Sequence, residues 1–192
     1  MPKNICFLYT ETNGLHQLNE PVTKKNSFGF ARIVTLNYII GYQKDGKFKE
    51  LKKVRNIFKP YCINYNEDAV KFHNITMEIA NKKGISNKKI LQELKNDLKN
   101  VKIIVSHNLP FHLRTIQVEL LKTCVYIDFN DFLLFDTINF YHNYGFLKLK
   151  ELSNKILNKK FENKKPKYNN TIIRKIFLKL YNNYEKSIKT KN

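Results

Sequence analysis

The run Asn4 to Leu15, NICFLYTETNGL, constrains this chain more than any other stretch. Ile5 to Tyr9 is apolar and β-prone, and a polar turn carrying Glu11 and closing on Gly14 follows at once. A short apolar run bounded by a turn reads as a buried strand, and its far end delivers side chains into a site. The remaining elements have to be arranged about that strand.

Phe30 to Tyr42 is rich in β-branched and aromatic residues, Asp45-Gly46 is a hairpin turn, and Lys47 to Phe58 reads as the return strand. After a polar loop over 16–28, these segments predict a meander continuing from the first strand. Glu67 to Phe72 predicts a short helix broken near His73-Asn74, and Thr76 caps a second helix that stops at Gly84. Ser86 is the expected cap of a third, in which Ile90, Leu91, Leu94 and Leu98 recur at helical spacing. Val101 to Val105 has the continuous apolar character of a parallel strand buried on both faces, and its end carries Ser106-His107-Asn108. A helix follows from Pro110, marked by Leu113, Ile116, Leu120 and Leu121. A short strand is expected at Leu133 to Phe135 with a helix from Thr137, then an amphipathic helix through Leu149, Leu152, Ile156 and Leu157. A basic loop over Asn158 to Lys167 leads to a last helix, Asn170 to Lys186, burying Ile172, Ile173, Ile176, Phe177, Leu180 and Tyr181.

Strands first, then strands alternating with helices, predict an α/β sandwich with a mixed sheet. At 192 residues and 42% hydrophobic content, one core is expected, in a single domain over 1–185 with a basic tail over 186–192. No apolar run approaches the roughly 20 residues that span a bilayer, and the start lacks a secretory segment. The expectation is an intracellular protein, cytoplasmic or nuclear, not secreted and not in a membrane. The three cysteines, Cys6, Cys62 and Cys124, are far apart and form no CxxC pair, which argues against a disulfide framework or a zinc knuckle.

The formal charge is +19. Basic surfaces gain on nucleic acid by neutralising phosphates and releasing counterions, so a polyanion is the expected partner. The excess is nearly all Lys, with Arg only at Arg32, Arg55, Arg114 and Arg174. Lys is a point charge without the guanidinium fork, so the composition favours backbone attraction over base reading. The accompanying Asn and Ile also fit codon bias in an AT-rich genome.

Six segments in order resemble the DnaQ-like (DEDD) 3′-5′ exonucleases. NICFLYTETNG resembles the first motif, where a strand ends in Asp-x-Glu, and ARIVTLNYII resembles the family's second strand. FHNIT, Phe72 to Thr76, is similar to its His-Gly-Ile-Thr, and SHNLPFH, Ser106 to His112, to the second catalytic motif, with Phe135-Asp136-Thr137 following it. The terminal helix is similar to the third motif. The resemblance implies an RNase H-like fold: a mixed sheet flanked by helices, the exonuclease fold. In that family four acids hold two divalent metals, which activate a water and stabilise the leaving oxygen.

Carried over position by position, the four acids fall on Tyr9, Glu11, His112 and either Asn169 or Asn170, so only Glu11 is still acidic. The general base falls on Lys164, or on Lys165 if Asn170 is matched, and an ammonium cannot accept water's proton. Tyr168, matched to an aromatic of the motif, favours Asn169 with Lys164. A pair of Mg²⁺ ions would be left largely uncompensated by one carboxylate. No metal is therefore expected, Glu11 being the only retained candidate and more apt to pair with a Lys; Mg or Mn would be the cofactor of an active enzyme. A single softer ion on Glu11, His112 and Asn169 is the alternative, and Asp128, Asp131 and Asp136 are the substitute acids for an active site with divergent ligands. The resemblance also makes Thr12, Asn13, Gly14, Leu15, His73 and Asn108 candidates for a retained nucleic-acid groove, with Lys164, Lys165 and Lys167 replacing the lost metal charge. Each has a plainer role open to it: Asn108 as a helix cap, His107 as a core histidine, His112 as an ordinary helix residue.

The expected function is a catalytically inactive exonuclease-fold protein that binds DNA or RNA or assembles with replication, repair or RNA-processing partners. The alternatives are an active 3′-5′ exonuclease and a purely protein-binding module. Salt-dependent oligonucleotide binding and metal-dependent degradation separate them.

Overall fold

The structure, a computed structural model, describes residues 3–61, 64–139, 146–158 and 169–189, with side chains described to residue 182. A sheet in the order β3-β2-β1-β4-β5 forms its middle layer. β1 (Asn4–Thr12), β2 (Ile33–Lys44) and β3 (Lys47–Ile57) make the antiparallel meander. β4 (Val101–Ser106) and β5 (Leu133–Asp136) run parallel to β1. The first strand is thus central, as its apolar run requires, and the mixed sheet is the expected one.

The alternation of β1 divides the core. Cys6 and Leu8 face one side with Leu36, Tyr38, Ile40 and Ile104, covered by α3 (Asn87–Asp97) and α4 (Leu109–Thr123) through Ile90, Leu91, Leu94, Ile116 and Leu120. Ile5 and Phe7 face the other with Ile39 and Val105, covered by α6 (Asn169–Lys189) through Ile173 and Phe177. Phe7 meets Phe48 and Phe177 edge-on, at centroid distances of 5.6 and 5.7 Å. α5 (Leu149–Leu157) then packs Leu152 and Ile156 on Ile172 and Ile176 of α6. Two short helices, α1 (Glu67–His73) and α2 (Met77–Lys83), follow β3 in the chain, capped by Asn66 and Thr76 side chains, with Ile75 and Ala80 packed on Val34 of β2.

Several expectations need correction. β2 starts at Ile33 rather than Phe30, and β3 ends at Ile57, with Phe58 making only an isolated bridge to Ile85. Ser86 occupies the cap position of α3 without a side-chain bond to it. Residues 137–139 form a 3-10 turn. α6 starts one residue early, at Asn169, and runs three residues past the expected end, to Lys189. Tyr181 is 38% exposed, stacked on Phe177 at the margin of the core rather than within it. Cys62 and most of the basic loop, including Lys164, Lys165, Lys167 and Tyr168, lie outside the described residues. Among the described residues, no helix is long and apolar enough to cross a membrane.

Candidate functional site

Alternation carries Tyr9 and Glu11 onto the same face as Ile5 and Phe7, and α6 begins where Tyr9 stands. Asn169 hydrogen-bonds the Tyr9 side chain, and Asn170 is buried, its Nδ2 donating to the Phe7 carbonyl at 3.5 Å. Cross-strand register adds Asn37 beside Tyr9 and Thr35 beside Glu11, both buried. Four of the positions carried over from the exonuclease motifs, Tyr9, Glu11, Asn169 and Asn170, therefore do come together at the C-terminal end of β1.

His112 comes to the same place from α4, because β4 stops pairing with β1 at Phe7–Val105 and leaves the next stretch of β1 open. Its ring stacks obliquely on Tyr9, 4.6 Å between centroids. Nε2 lies 3.1 Å from the His107 carbonyl, which can only accept, so Nε2 carries the proton. Nδ1 then accepts from the Thr10 N–H at 3.2 Å and from the Thr10 hydroxyl at 2.8 Å. Burial pushes the imidazole down to about 3, so it is neutral with both nitrogens engaged. It has no lone pair left for an ion, and the mixed site of Glu11, His112 and Asn169 is overturned.

Glu11 is 5% exposed, and its Oε1 has no hydrogen-bond partner among the described residues. Burial pushes its carboxyl up to about 8, with the Arg55 guanidinium pulling the other way. Among the described residues the cation that acts on Glu11 is Arg55, which the sequence reading missed. Burial also raises the Tyr9 phenol, helped by the Glu11 charge and opposed by the Asn169 hydrogen bond.

The substitute acids are committed elsewhere. Asp136 accepts from the N–H groups of Asn108, Leu109 and Ile138 at 2.9, 2.8 and 3.0 Å, closing the N-terminus of α4. Asn108 itself sits at that cap in a left-handed conformation, φ 62°, and makes no side-chain cap bond. Asp128 and Asp131 precede β5, at the opposite end of the sheet from the C-terminal end of β1, and Asp128 caps a 3-10 turn through Asn130. Among the described residues, no group of three or more His, Cys, Asp and Glu side chains could hold a metal ion. With Glu11 the lone acid, His112 sealed and Arg55 beside it, these residues do not fit a two-metal centre.

The turn after Glu11 is rigidly built. Thr12 donates its hydroxyl to the Gly14 carbonyl at 2.6 Å, and Asn13 accepts from the Arg32 N–H at 2.7 Å while donating to the Asn64 carbonyl. That framework holds Leu15 out at 83% exposure, with Asn108 also exposed. His73 is buried instead, its Nδ1 accepting from the Ile75 N–H at 3.1 Å, so it shapes the α1–α2 turn and offers little surface. His107 is a core histidine, as the plainer reading has it, with Nδ1 2.9 Å from the Thr137 hydroxyl.

No protein-family model matches the chain, and no curated protein sequence matches it. Solved structures do. E. coli exonuclease I in complex with a dT13 oligonucleotide superposes with a TM-score of 0.70 at 13% identity, covering 92% of this chain and 40% of that one. A product-bound exonuclease I gives 0.58 at 14% identity over 76% of this chain, which spans 34% of that protein's length. A 3′-exonuclease in a structure of 3′-end-specific recognition of the histone mRNA stem-loop gives 0.70 at 10% identity, over 95% and 83%. The chain spans about a third of the exonuclease I structures it matches first. At these identities the likeness concerns the fold, which is that of the DEDD-type 3′-5′ exonucleases.

Proposed function

We propose that this chain is an exonuclease-fold protein that binds DNA or RNA without two-metal hydrolysis, serving as a nucleic-acid-binding or assembly subunit. The observation that carries the reading is His112. At the position where the family's motif has a metal-holding acid, both ring nitrogens are spent on Thr10 and His107. A metal pair needs several anionic oxygens, and Glu11 alone supplies one carboxyl that burial keeps protonated at neutral pH. Binding is supported by the +19 charge, the exposed Leu15 turn, and the nucleic acids named with two of the structural neighbours, dT13 and a histone mRNA stem-loop.

The test is incubation of 5′-labelled single-stranded DNA and RNA with pure protein and Mg²⁺ or Mn²⁺, beside Glu11→Gln. Intact substrate that shifts on a native gel is expected. Laddering from the 3′ end that Glu11→Gln abolishes would mean a working metal site.

A further inference from the structure

A cavity of about 450 Å³ lies at the other end of the sheet, where α3 runs out through a 3-10 turn into β4 and the chain returns toward β5. Val101 there pairs with Asn4, so the length of strand from Asn4 to Tyr9, roughly 17 Å at ~3.3 Å per residue, separates it from the Tyr9–Glu11 face. Leu98 and Val101, both 2% exposed, and the half-buried Phe132 give it an apolar lining. Lys95, Lys99 and Lys102 reach it from α3, the turn and β4, and Tyr126, Asp128 and Asp131 from the segment between α4 and β5. We propose that this cavity is a nucleoside-phosphate site: the base stacks on Tyr126 and gives an N–H to Asp131, and the phosphate lies against the three lysines. The same chemistry comes as a free nucleotide or as one residue of a strand; the strand source rests on the nucleic-acid reading above, and the free nucleotide does not.

Three observations carry it. Opposite charges line one cavity without neutralising each other: among the described residues, none of Lys95, Lys99, Lys102, Asp128 and Asp131 makes an ion pair. A simple anion meets the two carboxylates there and a simple cation meets the three ammonium groups. A nucleotide answers both, with N–H donors on its base for a carboxylate and an anionic phosphate for the lysines. Second, Tyr126 is 70% exposed yet tethered, its hydroxyl donating to Asp128 Oδ2 at 3.3 Å while Asp128 Oδ1 accepts from the Asn130 N–H at 2.9 Å. The phenol is thereby held by its oxygen, and its ring is left out of the core as a stacking surface. Third, the lining is apolar where Leu98, Val101 and Phe132 meet, which suits the flat, weakly hydrated body of a base and gives nothing to inorganic phosphate. A concave, partly apolar site with a few polar groups at its edge has the usual make-up of a small-molecule site, and its volume is in the usual range.

The test is isothermal titration of the full chain with AMP, adenosine and ribose 5-phosphate at one fixed ionic strength, beside anisotropy of 5′-labelled oligo(A). AMP is expected to saturate one site, with adenosine and ribose 5-phosphate each at least about tenfold weaker. Tyr126→Ala should weaken AMP about tenfold and Lys99→Gln about threefold, while Lys88→Gln, the same charge change at the start of α3, should match the parent. Oligo(A) that AMP displaces, and that Tyr126→Ala binds about tenfold more weakly, identifies the ligand as a residue of a strand. Saturable AMP binding that depends on Tyr126, with oligo(A) binding that does not, identifies it as a free nucleotide. Ribose 5-phosphate or adenosine binding as tightly as AMP overturns the site, because one half of the ligand would then suffice. AMP binding that Tyr126→Ala leaves unchanged overturns it too. So does the absence of saturable AMP binding together with oligo(A) affinity that Tyr126→Ala leaves unchanged, a result that spares the nucleic-acid reading.

Discussion

Glu11→Gln tests the electrostatics of the site directly, because it keeps the shape of the side chain and removes its ionisation. The folded carboxyl titrates near 8 and the ordinary one at 4.5. Below pH 4.5 both states are protonated and the group costs nothing. Between 4.5 and about 8 the unfolded chain loses the proton and the folded chain keeps it, so stability falls as pH rises, by ~1.36 kcal/mol per pH unit. The loss accumulates to about 3 kcal/mol at pH 7 and approaches 5 kcal/mol at pH 8, as upper figures. Glu11→Gln escapes it. With no Trp in the chain, urea unfolding followed by far-UV circular dichroism is the suitable assay. The variant is expected to equal the parent within about 1 kcal/mol at pH 4.5 and to exceed it by about 2–4 kcal/mol at pH 8. A stability difference that is the same at both pH values would refute the claim that Glu11 is buried in its neutral form.

The His112 imidazole gives the opposite acid limb: its folded value of about 3 lies below the ordinary 6.5, so its contribution is intact above pH 6.5 and lost as pH falls toward 3. His112→Leu should cost ~2–4 kcal/mol at pH 7, through the stranded Thr10 donors and His107 carbonyl, and should flatten the acid limb in urea titrations. Asp136→Ala should cost about 2 kcal/mol by uncapping α4, with Asp136→Asn recovering part of it, read from urea midpoints. Arg32→Ala leaves Glu119, 1% exposed at its side chain, without the guanidinium held at 2.5 and 3.0 Å. A loss of ~3–5 kcal/mol is expected, and Arg32→Met with Glu119→Leu should regain most of it in thermal melts.

The meander, the central first strand and the parallel β4 were legible because each depends on local pattern: alternation, an Asp-Gly turn, a continuous apolar run. The convergence of Tyr9, Glu11 and Asn169 followed from motif order. Arg55 was not legible, and the reason is geometric. Counting back from the Lys44–Lys47 pair at the turn would set Val54 opposite Asn37; an irregularity between Ile40 and Gly41 shifts the register by one and brings Arg55 there instead. A one-residue slip exchanges the faces of a strand, so no reading of spacing alone assigns Arg55 to the site. The same irregularity leaves Gly41 under the Phe48 ring, where a Cβ would come within 2.5 Å of a ring carbon. Thr76 caps its helix as expected, but two other caps failed for a related reason. Ser86 and Asn108 are good capping residues by type, but the carboxylate that closes α4 is Asp136, 28 residues on from Asn108 and reachable only through the fold.

Metal addition joins these strands of argument. A ligand present at a hundred times its dissociation constant stabilises a native state by ~2.7 kcal/mol, which in a domain of this size raises Tm by roughly 5–10 °C. If the positions carried over from the motifs formed a working centre, millimolar Mn²⁺ would produce such a rise. The parent is expected to show none, because His112 is sealed, Glu11 is neutral at pH 7, and the charge that acts on Glu11 among the described residues is the guanidinium of Arg55. Tyr9→Asp places a second carboxyl on the same face, two residues from the first, where both cannot ionise cheaply without a cation. That variant should melt below the parent in EDTA and recover several degrees in Mn²⁺, more so when combined with Arg55→Gln. A parent whose Tm climbs by 5 °C or more in Mn²⁺ would show that His112 or Asn169 can turn outward to an ion, and the inactive reading would then fail at its root.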